Sequence, residues 1–152
     1  MNQEPLIKEN STVYFDSNVI IAYLVKPHPD HKRAKKLYAT FCKKQAELIL
    51  SALTLDEVYY VLLRTYKHSR ESIAVLLSTF IVLSAATILP LPSGMVNMLE
   101  YLDLMTEIKL DPRDAFHFVI AEKNEVAYLV TFDKAFRKEA SSQKSTSVKF
   151  IC

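Results

Sequence analysis

The sequence predicts an α/β fold: a three-layer α/β/α sandwich around a mostly parallel sheet of four or five strands. Three observations predict it. Short apolar runs rich in β-branched and aromatic residues recur along the chain. They alternate with segments of ten or more residues whose apolar positions keep a helical spacing. The runs are apolar throughout, as strands covered on both faces are, and parallel strands need a helix-length crossover between them.

Taken in order, residues 1–11 are polar and aperiodic and read as a flexible leader before a single domain over 12–152. Val13-Tyr14-Phe15 is the first strand. Asp16-Ser17-Asn18 then offers turn and N-cap residues ahead of an apolar helix from Val19 to Val25. Pro27 and Pro29 end that helix. Asp30 opens a second one, with Ala34, Leu37, Tyr38 and Phe41 inward and Lys32, Arg33, Lys35, Lys36, Lys43 and Lys44 making its outer face basic. Leu48-Ile49-Leu50 is the second strand, and Ser51 and Thr54 are caps for a helix through about Lys67. A helix over about 69–84 buries Ile73, Leu76, Leu77 and Phe80. Thr87-Ile88-Leu89 is the third strand, closed by Pro90 and Pro92. Residues 93–108 and 112–125 read as helices, Tyr128 to Thr131 as the fourth strand, and Val148 to Ile151 as a candidate fifth.

Composition narrows the function classes. The 152 residues suit one core, and with 50% hydrophobic and 24% charged residues the chain has the balance of a globular protein. A net charge of +2 does not announce a nucleic-acid binder, so any such footprint must be local. Cys42 and Cys152 lack the spacing of a disulfide framework or a zinc cluster, which fits a reducing cytoplasm. Glu4 and Glu9 stand where a signal peptide needs an apolar core, and no run reaches the ~18 apolar residues of a membrane span. Gly94 is the single glycine, which excludes a Gly-rich phosphate loop.

The acidic residues fall where ligands bind in such a sheet, in the crevice beyond the carboxyl ends of the strands. Asp16 follows the first strand, Glu57 lies in the first turns of the helix after the second, Asp133 lies two residues past Thr131, and Asp114 sits at a helix start. Carboxylates gathered this closely repel one another unless a cation intervenes. Oxygen ligands suit Mg²⁺ or Mn²⁺, and such a centre suits phosphodiester hydrolysis by a metal-activated water, with one metal or two.

Four motifs in order then resemble the PIN-domain ribonucleases, in the compact form found as VapC toxins. They are Val13-Tyr14-Phe15-Asp16-Ser17-Asn18-Val19-Ile20-Ile21, Ser51-Ala52-Leu53-Thr54-Leu55-Asp56-Glu57, Asp114-Ala115-Phe116-His117 and Thr131-Phe132-Asp133-Lys134-Ala135-Phe136. The resemblance spans roughly residues 12–137. It implies an endoribonuclease whose metal site is Asp16, Glu57, Asp114 and Asp133, with Asn18 and Thr131 orienting ligands by hydrogen bonds. It also implies a small antitoxin partner, an RNA substrate and a homodimer or larger assembly. Two departures are Asp111, just before the expected Asp114, and Asp56 beside Glu57.

Plainer readings stand beside these. Asp16 alone reads equally as an N-cap; in company with three other strand-end acids it reads as a ligand. Asp111 reads as an N-cap with Pro112 at the first helical position, although it and Asp114 can approach one metal from one helix end. Adjacent helix positions diverge by roughly 100°, so Asp56 does not share the face of Glu57. His28 and His31 read as a solvated pair, and His117, one turn past Asp114, as a packed core histidine or a substrate contact. The basic second helix reads as a solvated face, while Arg113, Lys134 and Arg137 lie beside the acids and suit phosphate contact. Rival folds fail on residues: a haloacid-dehalogenase phosphatase needs a second Asp where Asn18 stands, and a receiver domain needs an acidic pair where only Asp16 is available. The remaining alternatives are a PIN-fold RNA-processing nuclease without an antitoxin and a non-catalytic RNA- or partner-binding domain.

Overall fold

A computed structural model describes residues 7–142 and 147–151. Five strands and seven helices run in the order β1 (Thr12–Phe15), α1 (Ser17–Leu24), α2 (His31–Lys43), β2 (Glu47–Ser51), α3 (Ala52–Arg64), α4 (Arg70–Ser84), β3 (Thr87–Leu89), α5 (Met95–Glu107), α6 (Pro112–Lys123), β4 (Tyr128–Val130), α7 (Lys134–Ser141) and β5 (Lys149–Ile151) among the described residues. The sheet order is β3-β2-β1-β4-β5 and every pairing is parallel. The expected fifth strand is present. Helix α7 is the element that sequence periodicity did not announce.

Strand pleating divides the core into two layers, because successive side chains point to opposite faces. Val13 and Phe15 of β1, Leu48 and Leu50 of β2, and Tyr128 and Val130 of β4 pack with α1 to α4 on one face. Tyr14, Ile49 and Leu129 pack on the other face with Phe118, Val119 and Phe136 from α6 and α7. This is the three-layer sandwich. The central strands β1 and β4 are buried almost throughout, whereas the edge strand β3 leaves Thr87 and Ile88 exposed. Each fully buried aliphatic or aromatic side chain contributes about 1.5–3 kcal/mol. Truncating Leu129, which has no exposed surface, to Ala costs about 2–5 kcal/mol through lost burial and the cavity left behind.

Part of the expected leader packs onto this frame. Ile7 is buried, the Lys8 N–H donates to the Tyr128 hydroxyl, and the Asn10 N–H donates to the Lys44 carbonyl. Residues 7–11 are therefore tied to the domain, a correction to a leader over 1–11; residues 1–6 lie outside the described residues. The polar composition concealed it, because one apolar side chain, a few backbone hydrogen bonds and the Lys44–Glu9 ion pair do the holding. Helix α3 ends at Arg64, a few residues earlier than expected, and α5 begins beyond Gly94, whose φ of +83° suits a residue without a Cβ.

Chain order places the site. From β1 the chain winds outward to β2 and β3, then returns to the other side of β1 to form β4 and β5. The direction reverses between β1 and β4, so their carboxyl ends open the crevice in which such sheets bind ligands.

Candidate metal centre

Asp16 leaves β1 at that crevice. Its carboxylate caps α1, with Oδ1 accepting from the Ser17 N–H at 2.6 Å. Oδ2 accepts from the Thr131 hydroxyl at 2.7 Å and from Asn18 Nδ2 at 2.7 Å. The Thr131 oxygen in turn accepts from Asn18 Nδ2 at 3.0 Å and from the Asp133 N–H at 3.0 Å, while Asn18 Oδ1 accepts from the Phe132 N–H at 3.1 Å. The loops after β1 and β4 are thus laced through one carboxylate, which also caps α1. Burial pushes the Asp16 carboxyl above its ordinary range, against the lowering effects of His117 and the Thr131 hydroxyl.

Glu57 comes from α3. The Ser51 hydroxyl caps that helix, accepting from the Thr54 N–H at 3.1 Å, so the carboxylate faces inward one turn on. Asp56 is exposed and Glu57 buried, as their angular separation requires. His117 of α6 donates from Nε2 to Glu57 Oε2 at 2.8 Å, and the same nitrogen lies 3.9 Å from Asp16 Oδ1. Arg113 Nε lies 3.7 Å from Glu57 Oε1 from an exposed position. Burial alone would raise the Glu57 carboxyl; its hydrogen bond and charge contact with His117, with help from Ser17 and Arg113, outweigh burial and hold it below the ordinary value.

Asp114 sits in the first turn of α6, half-buried, and its carboxyl is pushed up to about 6 by burial and by the negative charges of Asp16, Asp133 and Asp111. Those influences place Asp16, Asp114 and Asp133 in one electrostatic neighbourhood, to which Glu57 is joined through its effect on Asp16. Asp133 is the exposed member, capping α7 through Oδ1 to the Ala135 and Phe136 N–H groups at 2.7 and 3.1 Å. Asp111 occupies the N-cap position of α6, but its side chain makes no capping hydrogen bond.

His117 is the residue that sequence reasoning left as a packed core histidine or substrate contact. It is 1% exposed, and it stands between two of the expected acids. Its Nδ1 lies 2.7 Å from the Tyr14 hydroxyl, which also meets Ser51 Oγ at 2.7 Å and Thr54 Oγ1 at 2.9 Å. Burial drives the Tyr14 phenol far above its ordinary value, so it stays a protonated hydroxyl. The one sequence signal was the i, i+3 spacing from Asp114. His28 and His31 instead meet backbone groups, the Asp30 N–H at 3.1 Å and the Ala22 carbonyl at 2.9 Å. Arg33, read as part of a solvated face, lies over the Phe132 ring at 4.4 Å, one residue from Asp133.

The donor chemistry fits a divalent cation. Carboxylate oxygens of Asp16 and Glu57 lie within 4.8 Å of one another, about twice a typical Mg–oxygen or Mn–oxygen distance of ~2.1 Å. Burial first, and neighbouring negative charge second, raise the carboxyls of Asp16 and Asp114, and a cation bound beside them would favour their ionised forms.

Comparison with known proteins gives a consistent fold. A family model for the PIN domain matches residues 13–140. No curated protein matches by sequence. Among solved structures, Mycobacterium tuberculosis VapC20, described as a sarcin–ricin loop cleaving toxin, is 20% identical, with 90% of this chain and 98% of that chain covered at a TM-score of 0.65. Rickettsia felis VapBC2, bound to a DNA fragment from their promoter, is 18% identical over 93% of this chain and 99% of that chain, with a TM-score of 0.64. Neisseria gonorrhoeae FitAcB is 19% identical over 90% of this chain and 95% of that chain, with a TM-score of 0.61.

Proposed function

The chain belongs to the PIN-domain family, and from that premise we propose that it is a Mg²⁺- or Mn²⁺-dependent endoribonuclease, the toxin of a VapBC-type pair. The observation that carries this reading is the close approach of the buried Asp16 and Glu57 carboxylates at the crevice between β1 and β4, with Asp114 in the field of Asp16. Asp16, Glu57, Asp114 and Asp133 would hold the cation within a single nuclease domain that includes residues 7–11. When bound, the cation neutralises these carboxylates, polarises a phosphoryl oxygen and lowers the pKa of the water that hydrolyses the phosphodiester.

The chain's own groups do the rest. Thr131 and Asn18 fix the rotamer of Asp16, and His117 fixes that of Glu57. Arg113 at the rim carries a charge that draws in the phosphate chain and holds it by charge-assisted hydrogen bonds. Arg33, over Phe132, adds a second cationic position beside Asp133. Structural likeness to VapC20 supports a cleaving toxin, and likeness to the VapBC2 pair supports an antitoxin partner. Exposed Met95, Val96, Leu99 and Leu102 on α5 supply an apolar surface for an antitoxin or for a second copy in a homodimer or larger assembly. Among the described residues no helix is long and apolar enough to cross a membrane.

The test is cleavage of a mixed RNA pool with Mg²⁺ or Mn²⁺, with and without EDTA, beside folded Asp16→Asn and Asp133→Asn variants. Metal-dependent cleavage by the wild type and its loss in both variants is expected. Equal cleavage by all three proteins overturns the site. Silence of the wild type with both cations, with RNA binding retained, returns the reading to a non-catalytic RNA-binding domain.

A further inference from the structure

Glu57 has its two oxygens in different positions. Oε2 is taken by His117 Nε2 at 2.8 Å, while Oε1 meets the exposed Arg113 at 3.7 Å, and the rotatable Ser17 hydroxyl also donates to this carboxylate. A carboxylate only accepts, so the hydrogen in the first contact is on Nε2. The other ring nitrogen, Nδ1, is hydrogen-bonded to the Tyr14 hydroxyl at 2.7 Å. Ser51 and Thr54 stand 2.7 and 2.9 Å from the Tyr14 oxygen and complete its hydrogen bonding. Tyr14 comes from the central strand, Ser51 and Thr54 from the start of α3, and His117 from α6, so the ring is held from three elements. His117 and Tyr14 have no freedom to turn without leaving buried polar atoms unpaired.

We propose that His117, locked by Tyr14, restricts Glu57 to a single donor oxygen and so makes the centre discriminate against Ca²⁺ in favour of a small octahedral cation. This rests on the metal-site reading above. Ca²⁺ takes six to eight oxygens and commonly engages a carboxylate through both, whereas Mg²⁺ takes six at near-ideal octahedral geometry. A carboxylate with one oxygen already hydrogen-bonded serves the second cation well and the first poorly. His117 is thereby a positioning residue that sets specificity through Glu57.

The experiment follows free Mn²⁺ by electron paramagnetic resonance during titration, then its displacement by Mg²⁺ and by Ca²⁺, on wild type, His117→Leu, His117→Gln and Tyr14→Phe. Circular dichroism melts establish that each variant is folded. The wild-type preference for Mg²⁺ over Ca²⁺ is expected to fall ~10-fold or more in His117→Leu, the usual reach of an outer partner on metal affinity. His117→Gln, whose amide can still donate to Glu57, keeps most of the preference, and Tyr14→Phe falls between. If His117→Leu does not fold, Tyr14→Phe alone decides. An unchanged preference in the folded variants overturns this inference and leaves the metal site standing. Absence of Mn²⁺ binding by the wild type removes the metal site and the inference together.

Discussion

The Thr131 hydroxyl donates to Asp16 Oδ2 at 2.7 Å, joining the end of β4 to the end of β1. The same oxygen accepts from Asn18 Nδ2 and from the Asp133 N–H, so one hydroxyl sets the orientation of one proposed ligand and the backbone entering another. Thr131→Val keeps the shape and removes all three contacts. Metal affinity is expected to fall about 10–100-fold. Stability is expected to fall by about 1–3 kcal/mol, because a buried carboxylate loses a donor. Calorimetric Mn²⁺ titration and urea unfolding measure the two effects, and undiminished Mn²⁺ affinity would show that the hydroxyl has no hold on the site.

A second prediction concerns pH. The Asp114 carboxyl is raised from the ordinary 3.8 to about 6 by burial and by its acidic neighbours. Between those values the native state keeps a proton that the unfolded chain has released, so this group makes stability fall as pH rises through that window. Glu57 acts in the opposite sense: its lowered carboxyl stabilises the fold above its ordinary value, and that contribution is lost as pH falls through the folded value. Asp114→Asn isolates the first effect. In EDTA the variant is expected to match wild type near pH 4 and to exceed its stability at pH 7. Urea midpoints across this range test it, and a variant less stable than wild type at pH 7 contradicts the electrostatic account.

How far the sequence disclosed this centre depended on the range of the contacts. Asp16, Asp114 and Asp133 were legible because each stands at a strand end or helix start whose pattern is local, and α/β crossovers bring such ends together, whereas Glu57 rested more on the family resemblance. His117 was ambiguous because a lone histidine among Ala115, Phe118 and Val119 reads alike whether packed or hydrogen-bonded. Tyr14 decides it, from 103 residues away, and nothing local to either residue records the pairing. Helix α7 escaped for a different reason. Its buried positions are only Phe136 and Ala140, one turn apart, too few to establish a period.

Arg33 provides a third prediction. Its contact with Phe132 holds a guanidinium at the rim of the crevice, and Asp30 lies 3.6 Å from its head group. Arg33→Ala is expected to weaken RNA binding and to reduce the slope of log affinity against log salt by about one phosphate contact. Arg33→Lys restores charge but not the planar stacking, so it recovers only part of the loss. Fluorescence anisotropy with RNA in EDTA, where cleavage is suppressed, reads binding alone. Identical salt slopes for wild type and Arg33→Ala would place Arg33 outside the RNA path.

The last prediction concerns α5. Among its described residues Tyr101 is the buried one, while Met95 is 79% and Leu99 53% exposed, with Val96 and Leu102 also in solvent. Met95, Leu99 and Leu102 follow at four and three residues and so share one face of the helix. Such a face loses nothing within the monomer when it is made charged, because surface substitutions away from packed features usually change stability by about 0.5 kcal/mol or less. In an assembly it becomes buried, and a carboxylate placed there must be desolvated without a partner. Leu99→Glu is therefore expected to leave the thermal midpoint almost unchanged and to abolish concentration-dependent self-association in sedimentation velocity. A wild type that is monomeric at every concentration, or a Leu99→Glu variant that associates equally well, removes α5 from the interface between copies.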